Sequence, residues 1–382
     1  MFKPLCQLIG VALATLMLIA CEPAAAPEKS QGMGKLIGSD QADIERYARV
    51  LPQTQLTFPE DHKAHEDFRQ EWWYLTANLE TLQGEPLGLQ WTQFRIALNP
   101  ESALSGQVED NSWATGQLYM AHSAVTTATD HLAAERWSRG NPELAGVDTA
   151  PLRIYLDNWQ WQSRSKDLFP AILEGGDADF SYRLKLGSRA PYQLQGKQGF
   201  SLKSADGAVA SHYYTQPFIH IKGEVTVHGE VHQVRGDGWL DREWSSQFLT
   251  GNQQGWDWFA LRIGEHKGQE TALMLFQLRG GGDLSSNPGA NHFFSGRLMY
   301  EDGSGRSLSP DEIQIQALET YNTKGKKIPV KWRLQVPAEQ IDLTVSALNP
   351  DALMPLTIQY WEGPISIEGS HQGRGYMELT GY

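Results

Sequence analysis

Short runs in which apolar and polar residues alternate are the feature that most restricts how this chain can fold. Such runs recur beyond about residue 65, for example at 152–161, 223–231 and 363–369, and turns rich in Gly, Asp and Asn separate them. A period of two residues places alternate side chains on opposite faces of a β-strand, and long helical periods are nearly absent. The pattern predicts an all-β protein built from sandwiches or barrels.

The chain also resembles itself, because two pairs of similar segments occur in the same order. In E-W-W-Y-L-T-A-N-L (71–79) the second tryptophan precedes Arg95 by 22 residues, and in W-D-W-F-A-L-R-I (256–263) the second tryptophan precedes Arg279 by 21. Each arginine ends a similar run, Q-F-R or Q-L-R. The spacing predicts that both copies begin with an aromatic strand, a turn and a returning strand.

The second pair of segments lies near the end of each copy. G-D-G-W-L-D (236–241) resembles G-R-G-Y-M-E (373–378), and an alternating strand precedes each of them. A chain that opens on an aromatic strand and returns on a Gly-x-Gly strand fits a barrel that closes on itself, and barrels of about eight strands can hold one small ligand. We therefore predict two tandem barrel domains, at 61–248 and 249–382.

Charge and aromatic content limit the partners of such barrels. The chain has 32 Lys and Arg against 45 Asp and Glu, a net charge of −13, so its composition does not favour nucleic acid as a partner. It also has 13 Trp, 13 Tyr and 13 Phe, which favour strands, stacking surfaces or a pocket for a large apolar ligand. Composition leaves these three alternatives open.

The N-terminal segment has the features of a bacterial export signal. A single cation, Lys3, precedes an apolar run that ends in small residues before Cys21, and this end of the run resembles the lipobox of bacterial lipoproteins. The resemblance implies that residues 1–20 are removed and that the Cys21 thiol carries a lipid. Residues 21–60 then hold a flexible tether, and Glu22 favours the outer membrane over the inner membrane. An uncleaved membrane anchor is the alternative.

Six motifs are together similar to those of the AttH-like family, which includes the carotenoid hydratases (hydroxyneurosporene synthases) and many exported bacterial proteins known as predicted secreted hydrolases. The resemblance implies two lipocalin-like domains, in agreement with the internal duplication. It also implies hydratase chemistry, in which water adds to a terminal C=C bond. The motifs are E-W-W-Y (71–74), Y-M-A-H-S-A-V-T (119–126), G-W-L-D-R-E-W-S (238–245), W-D-W-F-A-L (256–261), Y-W-E-G (360–363) and G-Y-M-E-L-T-G-Y (375–382).

The motif around Asp241 contains the first candidates for catalysis. A strand there points Asp241 and Glu243 to one face and Arg242 to the other. The hydratase reaction needs a carboxylic acid that protonates carbon and aromatic faces that stabilise the resulting cation. We predict Asp241 as that acid, with Glu243 beside it, in an apolar pocket that raises the pKa of Asp241 by desolvation.

Aromatic residues of the same motifs are candidates for the wall of that pocket. Packing is the alternative, because aromatic side chains in strands commonly belong to a core, and Trp73 can pack under Arg242 simply to close a barrel. The predicted ligand-binding residues are Trp72, Trp73, Tyr74, Trp91, Tyr119, Trp239 and Trp244.

His122 is a further candidate for catalysis. It alternates with Met120 and Ala124 on one strand face, which favours a buried histidine with a satisfied hydrogen bond, and a general base is the alternative. His62 and His65 lack the H-E-x-x-H pattern and a cysteine partner, so we predict no metal site. The sequence also lacks a G-x-S-x-G nucleophile motif and a Walker A loop, and no cofactor is predicted.

Three functions remain open on this basis. The first is an exported lipoprotein on the periplasmic face that binds a long apolar ligand, a lipid or an isoprenoid. The second is a hydratase or hydrolase that acts on such a ligand by acid catalysis from Asp241. The third is an accessory lipoprotein of an envelope ABC-type transporter.

Overall fold

The computed structural model describes residues 44–98, 100, 115–247, 253–280 and 292–382. All of these residues belong to one compact unit, Gly32–Tyr382. The predicted signal peptide, Cys21 and the predicted domain boundary at residue 248 lie outside the described residues.

Thirteen strands of the described residues form the first sheet. They are β1 (Gln70–Thr81), β2 (Pro86–Ala97), β3 (Gln117–Thr126), β4 (His131–Arg139), β5 (Ala145–Thr149), β6 (Leu152–Leu156), β7 (Trp159–Ser163), β8 (Ala171–Gly176), β9 (Phe180–Gly187), β10 (Gln193–Leu194), β11 (Phe200–Leu202), β12 (Ala210–Val227) and β13 (Glu230–Ser245).

Nine further strands form the second sheet. They are β14 (Gln253–His266), β15 (Gln269–Gly280), β16 (Phe293–Tyr300), β17 (Gly305–Leu308), β18 (Gln314–Thr323), β19 (Lys326–Val336), β20 (Ile341–Ala347), β21 (Trp361–Gly369) and β22 (Gly373–Leu379).

The described residues include four short 3₁₀ segments. None of these helices has the length and the apolar composition that crossing a bilayer requires. The segments are Ile44–Arg46, Glu60–His62, Pro310–Glu312 and Pro337–Glu339.

Both sheets are antiparallel and curled, which confirms the predicted all-β class with two lipocalin-like barrels. The strand order of the first sheet is β4-β3-β2-β1-β13-β12-β9-β8-β7-β6-β5, with β10 and β11 also paired to β12, and this sheet forms a nearly closed barrel. The order of the second is β17-β16-β15-β14-β22-β21-β20-β19-β18, and this sheet forms a half-barrel. In each sheet the first long strand pairs with the last one, as the Gly-x-Gly return predicts.

Two-residue turns connect the long hairpins that contain the closing strands β13 and β14. His228 and Gly229 join β12 to β13 with φ angles of 49° and 83°, and Lys267 and Gly268 join β14 to β15 with φ angles of 53° and 81°. Two successive residues with positive φ give the twist of a type I′ turn, in which glycine adopts the left-handed conformation without steric cost. The loop length therefore sets the register of each hairpin.

The register of the closing strands shows which residues of the two copies are equivalent. Tyr74 on β1 lies opposite Asp241 on β13, and Trp258 on β14 lies opposite Glu378 on β22. Tyr74 is therefore the counterpart of Trp258, and Asp241 is the counterpart of Glu378.

This register corrects the sequence alignment of the opening strands by one residue. The alignment pairs Trp73 with Trp258, whereas in the structure Trp72 corresponds to Trp256, and 23 residues separate each of these tryptophans from Arg95 or Arg279. A shift of one residue along a strand moves every side chain to the opposite face. Two adjacent tryptophans in the first copy left the choice of face open in the sequence.

The predicted contact between Trp73 and Arg242 lies in the core of the first barrel. The Arg242 guanidinium is 3.9 Å from the centre of the Trp73 ring, and the fully buried Glu71 carboxylate pairs with both Arg242 and Arg95. Burial alone would raise the pKa of Glu71, but the two guanidinium groups outweigh it and hold the pKa well below its usual range. Trp73 and Arg242 therefore pack against each other in the barrel core, which is the alternative to ligand binding.

Three apolar clusters follow from this arrangement. One fills the first barrel and another fills the half-barrel, while the third joins side chains of both sheets, among them Tyr74, Trp239 and Trp258. Strand β1 therefore buries both of its faces between residues 73 and 79, apart from the partly exposed Asn78. Strand β13 buries both of its faces between residues 238 and 245. The site described below lies in the third cluster.

We expect Glu71→Gln to lower the free energy of unfolding by about 3–5 kcal/mol, because it leaves two buried guanidinium groups without a carboxylate. Urea denaturation followed by tryptophan fluorescence measures this. The depressed pKa of Glu71 means that its contribution is present above the ordinary carboxyl pKa and is lost as the pH falls below it, so the difference shrinks in acid. Glu80→Gln, which removes an exposed carboxylate near Arg235 and Arg374, is the control and should change little. Equal effects of the two changes would contradict the role of Glu71.

Candidate functional site

A cavity lies between the two sheets, where β1, β2, β12 and β13 face β14, β15 and β22. It encloses roughly 680 Å³ of space between side chains, counting the open solvent at its mouth. Eight aromatic residues and three acids dominate its wall: Trp72, Tyr74, Phe94, Tyr213, Trp256, Trp258, Phe276, Tyr360, Asp241, Glu243 and Glu378.

The pleat of the strands decides which side chains reach this cavity. Asp241 and Glu243 both line it, while Arg242 between them points into the first barrel. Trp72 and Tyr74 line it for the same reason, and Trp73 does not. The predicted sharing of one face by the two carboxyls is therefore what the structure shows.

Asp241 is buried, with 3 % of its surface exposed, and accepts three hydrogen bonds. Thr215 Oγ1 at 2.6 Å and Trp239 Nε1 at 2.9 Å donate to Oδ1, and Tyr213 Oη at 2.6 Å donates to Oδ2. Burial raises the pKa of Asp241 to about 7, and the three donors lower it without offsetting the burial. The carboxyl is thus poised to gain or lose a proton near neutral pH.

Glu243 differs from Asp241 because a cation faces it. Its Oε1 lies 2.6 Å from Lys203 Nζ and also accepts a hydrogen bond from Ser211 Oγ. Burial raises the pKa of Glu243, and Lys203 opposes that rise. The Lys203 ammonium also lies over the rings of Tyr213 and Phe276, at 4.8 and 5.0 Å from their centres. Glu243 and Lys203 therefore form a buried ion pair at the cavity wall.

The second half of the chain adds two carboxyls that the sequence analysis missed. Glu378 lines the cavity, is partly exposed to it, and accepts a hydrogen bond on Oε1 from Trp256 Nε1 at 3.0 Å. Glu362 lies directly opposite Glu378 on β21, is buried, and accepts a hydrogen bond from Tyr74 Oη. Burial and the neighbouring carboxyls raise the pKa of both groups.

His122 lies behind the cavity and does not line it. Its Nδ1 is 2.9 Å from Tyr360 Oη, and Tyr360 is part of the cavity wall. Burial lowers the pKa of His122 to about 4, so the imidazole is neutral at physiological pH. Its Nε2 lies 3.9 Å from Glu135. The predicted hydrogen-bonded, buried histidine fits this geometry, whereas a general base would need access to the ligand.

The predicted aromatic residues divide into two groups. Trp72 and Tyr74 line the cavity, and Trp239 borders it through its hydrogen bond to Asp241. Trp244 stacks on His65 at 3.9 Å between ring centres. The four that pack in the core of the first barrel are Trp73, Trp91, Tyr119 and Trp244.

The duplication was the signal that could have found Glu378. The alignment of G-D-G-W-L-D with G-R-G-Y-M-E already places Glu378 at the position of Asp241. Lys203 and Tyr213 carried no comparable signal, because only the pairing of β11 with β12 and of β12 with β13 brings them beside Glu243 and Asp241. Within the described residues, no group of three or more His, Cys, Asp or Glu side chains could hold a metal ion.

We expect Asp241→Asn to stabilise the protein relative to wild type at alkaline pH. A folded-state pKa of about 7 means that the contribution of Asp241 to stability is most favourable in acid and falls as the pH rises from about 4 to about 7, by about 4 kcal/mol at most. Asparagine does not titrate, so the variant avoids that loss. Urea denaturation between about pH 4 and pH 8 measures the difference.

Glu243→Gln is the matched control, since it removes the carboxylate charge that faces the buried Lys203. It should lower the free energy of unfolding at neutral pH by about 3–5 kcal/mol. If both changes destabilise the protein equally, the two carboxyls do not differ as described.

Comparisons with known proteins agree with the motifs. A crystal structure from Nitrosomonas europaea that carries the name AttH matches with 31 % identity and a TM-score of 0.75, over 88 % of this chain and 99 % of that one. Kievitone hydratase from Nectria haematococca matches with 15 % identity and a TM-score of 0.62, over 85 % and 92 % of the chains. No curated protein is significantly similar in sequence. The model of the AttH-like family matches residues 49–382, and the chain belongs to that family.

Proposed function

We propose that the protein binds an apolar, unsaturated ligand between its two barrels and adds water across a C=C bond of that ligand, with Asp241 as the proton donor. The observation that carries the proposal is a carboxyl with a pKa of about 7 in a cavity walled by aromatic rings. Acid catalysis at neutral pH requires a carboxyl of this kind, since an ordinary aspartate has lost its proton.

The wall of the cavity supports an apolar ligand. Burial of hydrocarbon contributes about 0.8 kcal/mol per CH₂ group, so binding needs few polar contacts. The eight aromatic side chains of the wall provide the apolar surface that such a ligand would cover.

The surroundings of Asp241 are compatible with both its protonated form and its carboxylate. In the first step the Asp241 proton passes to one carbon of the double bond, and the π electrons form the new C–H bond. Thr215, Tyr213 and Trp239 then stabilise the Asp241 carboxylate by the three hydrogen bonds that they already donate.

Aromatic rings support the second half of the reaction. The cation left on the other carbon faces the rings of the cavity wall, including Trp72, Trp256 and Trp258. A lone pair of water forms the C–O bond, and the proton that the oxygen loses returns to Asp241. At the end of the cycle Asp241 is protonated again and the ligand has gained one molecule of water, without a cofactor.

The comparisons add limited support. The match to kievitone hydratase, at 15 % identity, is a likeness in fold, and its name records hydratase activity for that protein. The proposal for this chain rests on the cavity and on Asp241.

Lycopene, an acyclic isoprenoid, is the first probe for hydration. We expect wild-type protein incubated with lycopene micelles in H₂¹⁸O to yield an alcohol that contains ¹⁸O, detected by mass spectrometry. Asp241→Asn should abolish the product while lycopene binding persists. Asp237→Asn, on the same strand but outside the cavity, is the control and should retain turnover. Binding without any hydrated product in the wild type would refute catalysis on this probe and leave a binding protein.

The pH dependence is a separate expectation. Turnover requires protonated Asp241, whose pKa is about 7, so the rate should be level in mild acid and fall about tenfold per pH unit above that value. Initial rates across this range measure it, with folding checked by circular dichroism at each pH. A rate that rises through neutrality would identify a base, not an acid, as the essential group.

We propose further that Cys21 anchors the protein to the outer membrane from the periplasmic side, as the lipobox resemblance implies. Such an anchor would hold the cavity close to a source of apolar ligands. Cys21→Ser should move the protein from the membrane fraction to the soluble periplasmic fraction, which immunoblots of fractionated cells detect. A variant that stays in the membrane fraction would argue for another mode of attachment.

A further inference from the structure

We infer that Glu378, which the second barrel supplies opposite the aromatic wall of the first, binds the reacting oxygen: the water before addition and the hydroxyl of the product afterwards. The water step rests on the proposed hydration, whereas binding of a hydroxyl can be tested without turnover.

The internal duplication places Glu378 and its neighbours in the same positions as Asp241 and its neighbours. Thr215 lies opposite Asp241 on β12, and Glu362 lies opposite Glu378 on β21. Two residues before these, Tyr213 and Tyr360 both line the cavity. Each half of the chain therefore contributes a tyrosine and a carboxyl to one shared site. Their equivalent positions, Asp241 and Glu378, interact closely enough for the charge of Asp241 to raise the pKa of Glu378.

One difference between the copies gives the two carboxyls different states. Thr215 donates a hydrogen bond to Asp241, but the second copy has Glu362 in the equivalent place. Two carboxyls directly opposite each other on neighbouring strands repel when both are charged, and in apolar surroundings at least one retains its proton. Among the described residues, three side chains donate to Asp241, whereas the hydrogen bond to Glu378 comes from Trp256.

A neutral carboxyl suits the oxygen side of the reaction. It can both donate to and accept from a water or an alcohol, and its oxygens are poor nucleophiles toward the neighbouring cation. A charged carboxylate there would compete with water by forming an ester. The Asp241 carboxylate is held back from that reaction by its three donors.

The accessibility of the two groups fits this division. Asp241 is 3 % exposed, while Glu378 presents part of its surface to the cavity, where a ligand oxygen can reach it. Glu378 keeps its proton throughout the cycle, and the proton of the attacking water returns to Asp241. The ligand is thus an apolar alkene whose double bond, and then the hydroxyl of the product alcohol, lies between the two carboxyls.

Binding of a matched pair of small ligands tests the inference. The probes are tetrahydromyrcenol, a tertiary alcohol, and the alkene that forms from it by loss of water. Isothermal titration calorimetry of the mature protein gives both dissociation constants. We expect the wild type to bind the alcohol about tenfold more tightly than the alkene, because the alcohol replaces the hydrogen bonds of a bound water.

Three variants separate the possible causes. Glu378→Gln keeps a neutral group that donates and accepts, so the preference for the alcohol should persist. Glu378→Leu should abolish it, and loss of a buried carboxyl in favour of an apolar side chain is not expected to unfold the protein. Asp241→Asn should keep the preference although it ends proton transfer.

The outcomes are distinct from those of the hydration assay. Equal binding of alcohol and alkene by the wild type would overturn the inference, and so would a preference that survives Glu378→Leu. A preference lost in Glu378→Leu and kept in Glu378→Gln supports it, even if lycopene proves not to be hydrated. Loss of the preference in Asp241→Asn would assign the oxygen to Asp241 instead.

Discussion

Burial of the closing strands on both faces is the constraint on which the site depends. β1 and β13 have one face in the first barrel and the other against β14 and β22 of the second sheet. Where these strands are buried on both faces there is no solvent face on which to place a charge, so an ionisable side chain there must find a partner or change its protonation state. The chemistry of the cavity follows from that requirement.

The two faces of β1 and β13 meet this requirement in opposite ways. Toward the barrel core, the Glu71 carboxylate is held between Arg95 and Arg242, and its pKa is depressed. Toward the cavity, Asp241 has hydrogen-bond donors but no cation of its own, and its pKa is raised to about 7. Equal burial thus produces a structural ion pair on one face and a reactive acid on the other, because only the partners differ.

The sequence predicted the fold and half of the site. Alternation and the repeated segments were sufficient for two barrels, and the pleat rule was sufficient to place Asp241 beside Glu243 and away from Arg242. It failed at Trp72 and Trp73, since adjacent tryptophans are equally apolar and the sequence alone cannot say which one faces the barrel core. Lys203 could not be predicted for another reason. It contacts Glu243 only in the folded protein, and no local sequence pattern indicates this contact.

The two copies differ in the partners that they give to their equivalent carboxyls, Asp241 and Glu378. In a symmetric pair of barrels, two identical acids would face the shared cavity. The repulsion between their charged forms would then raise the pKa of both to the same extent. The second copy has Glu362 where the first has Thr215, and this difference breaks that symmetry. One acid can then ionise against hydroxyl and indole donors, while the other remains beside a second acid that opposes its ionisation. Duplication thus places two carboxyls in equivalent positions at one cavity, and their different hydrogen-bond partners give them different surroundings.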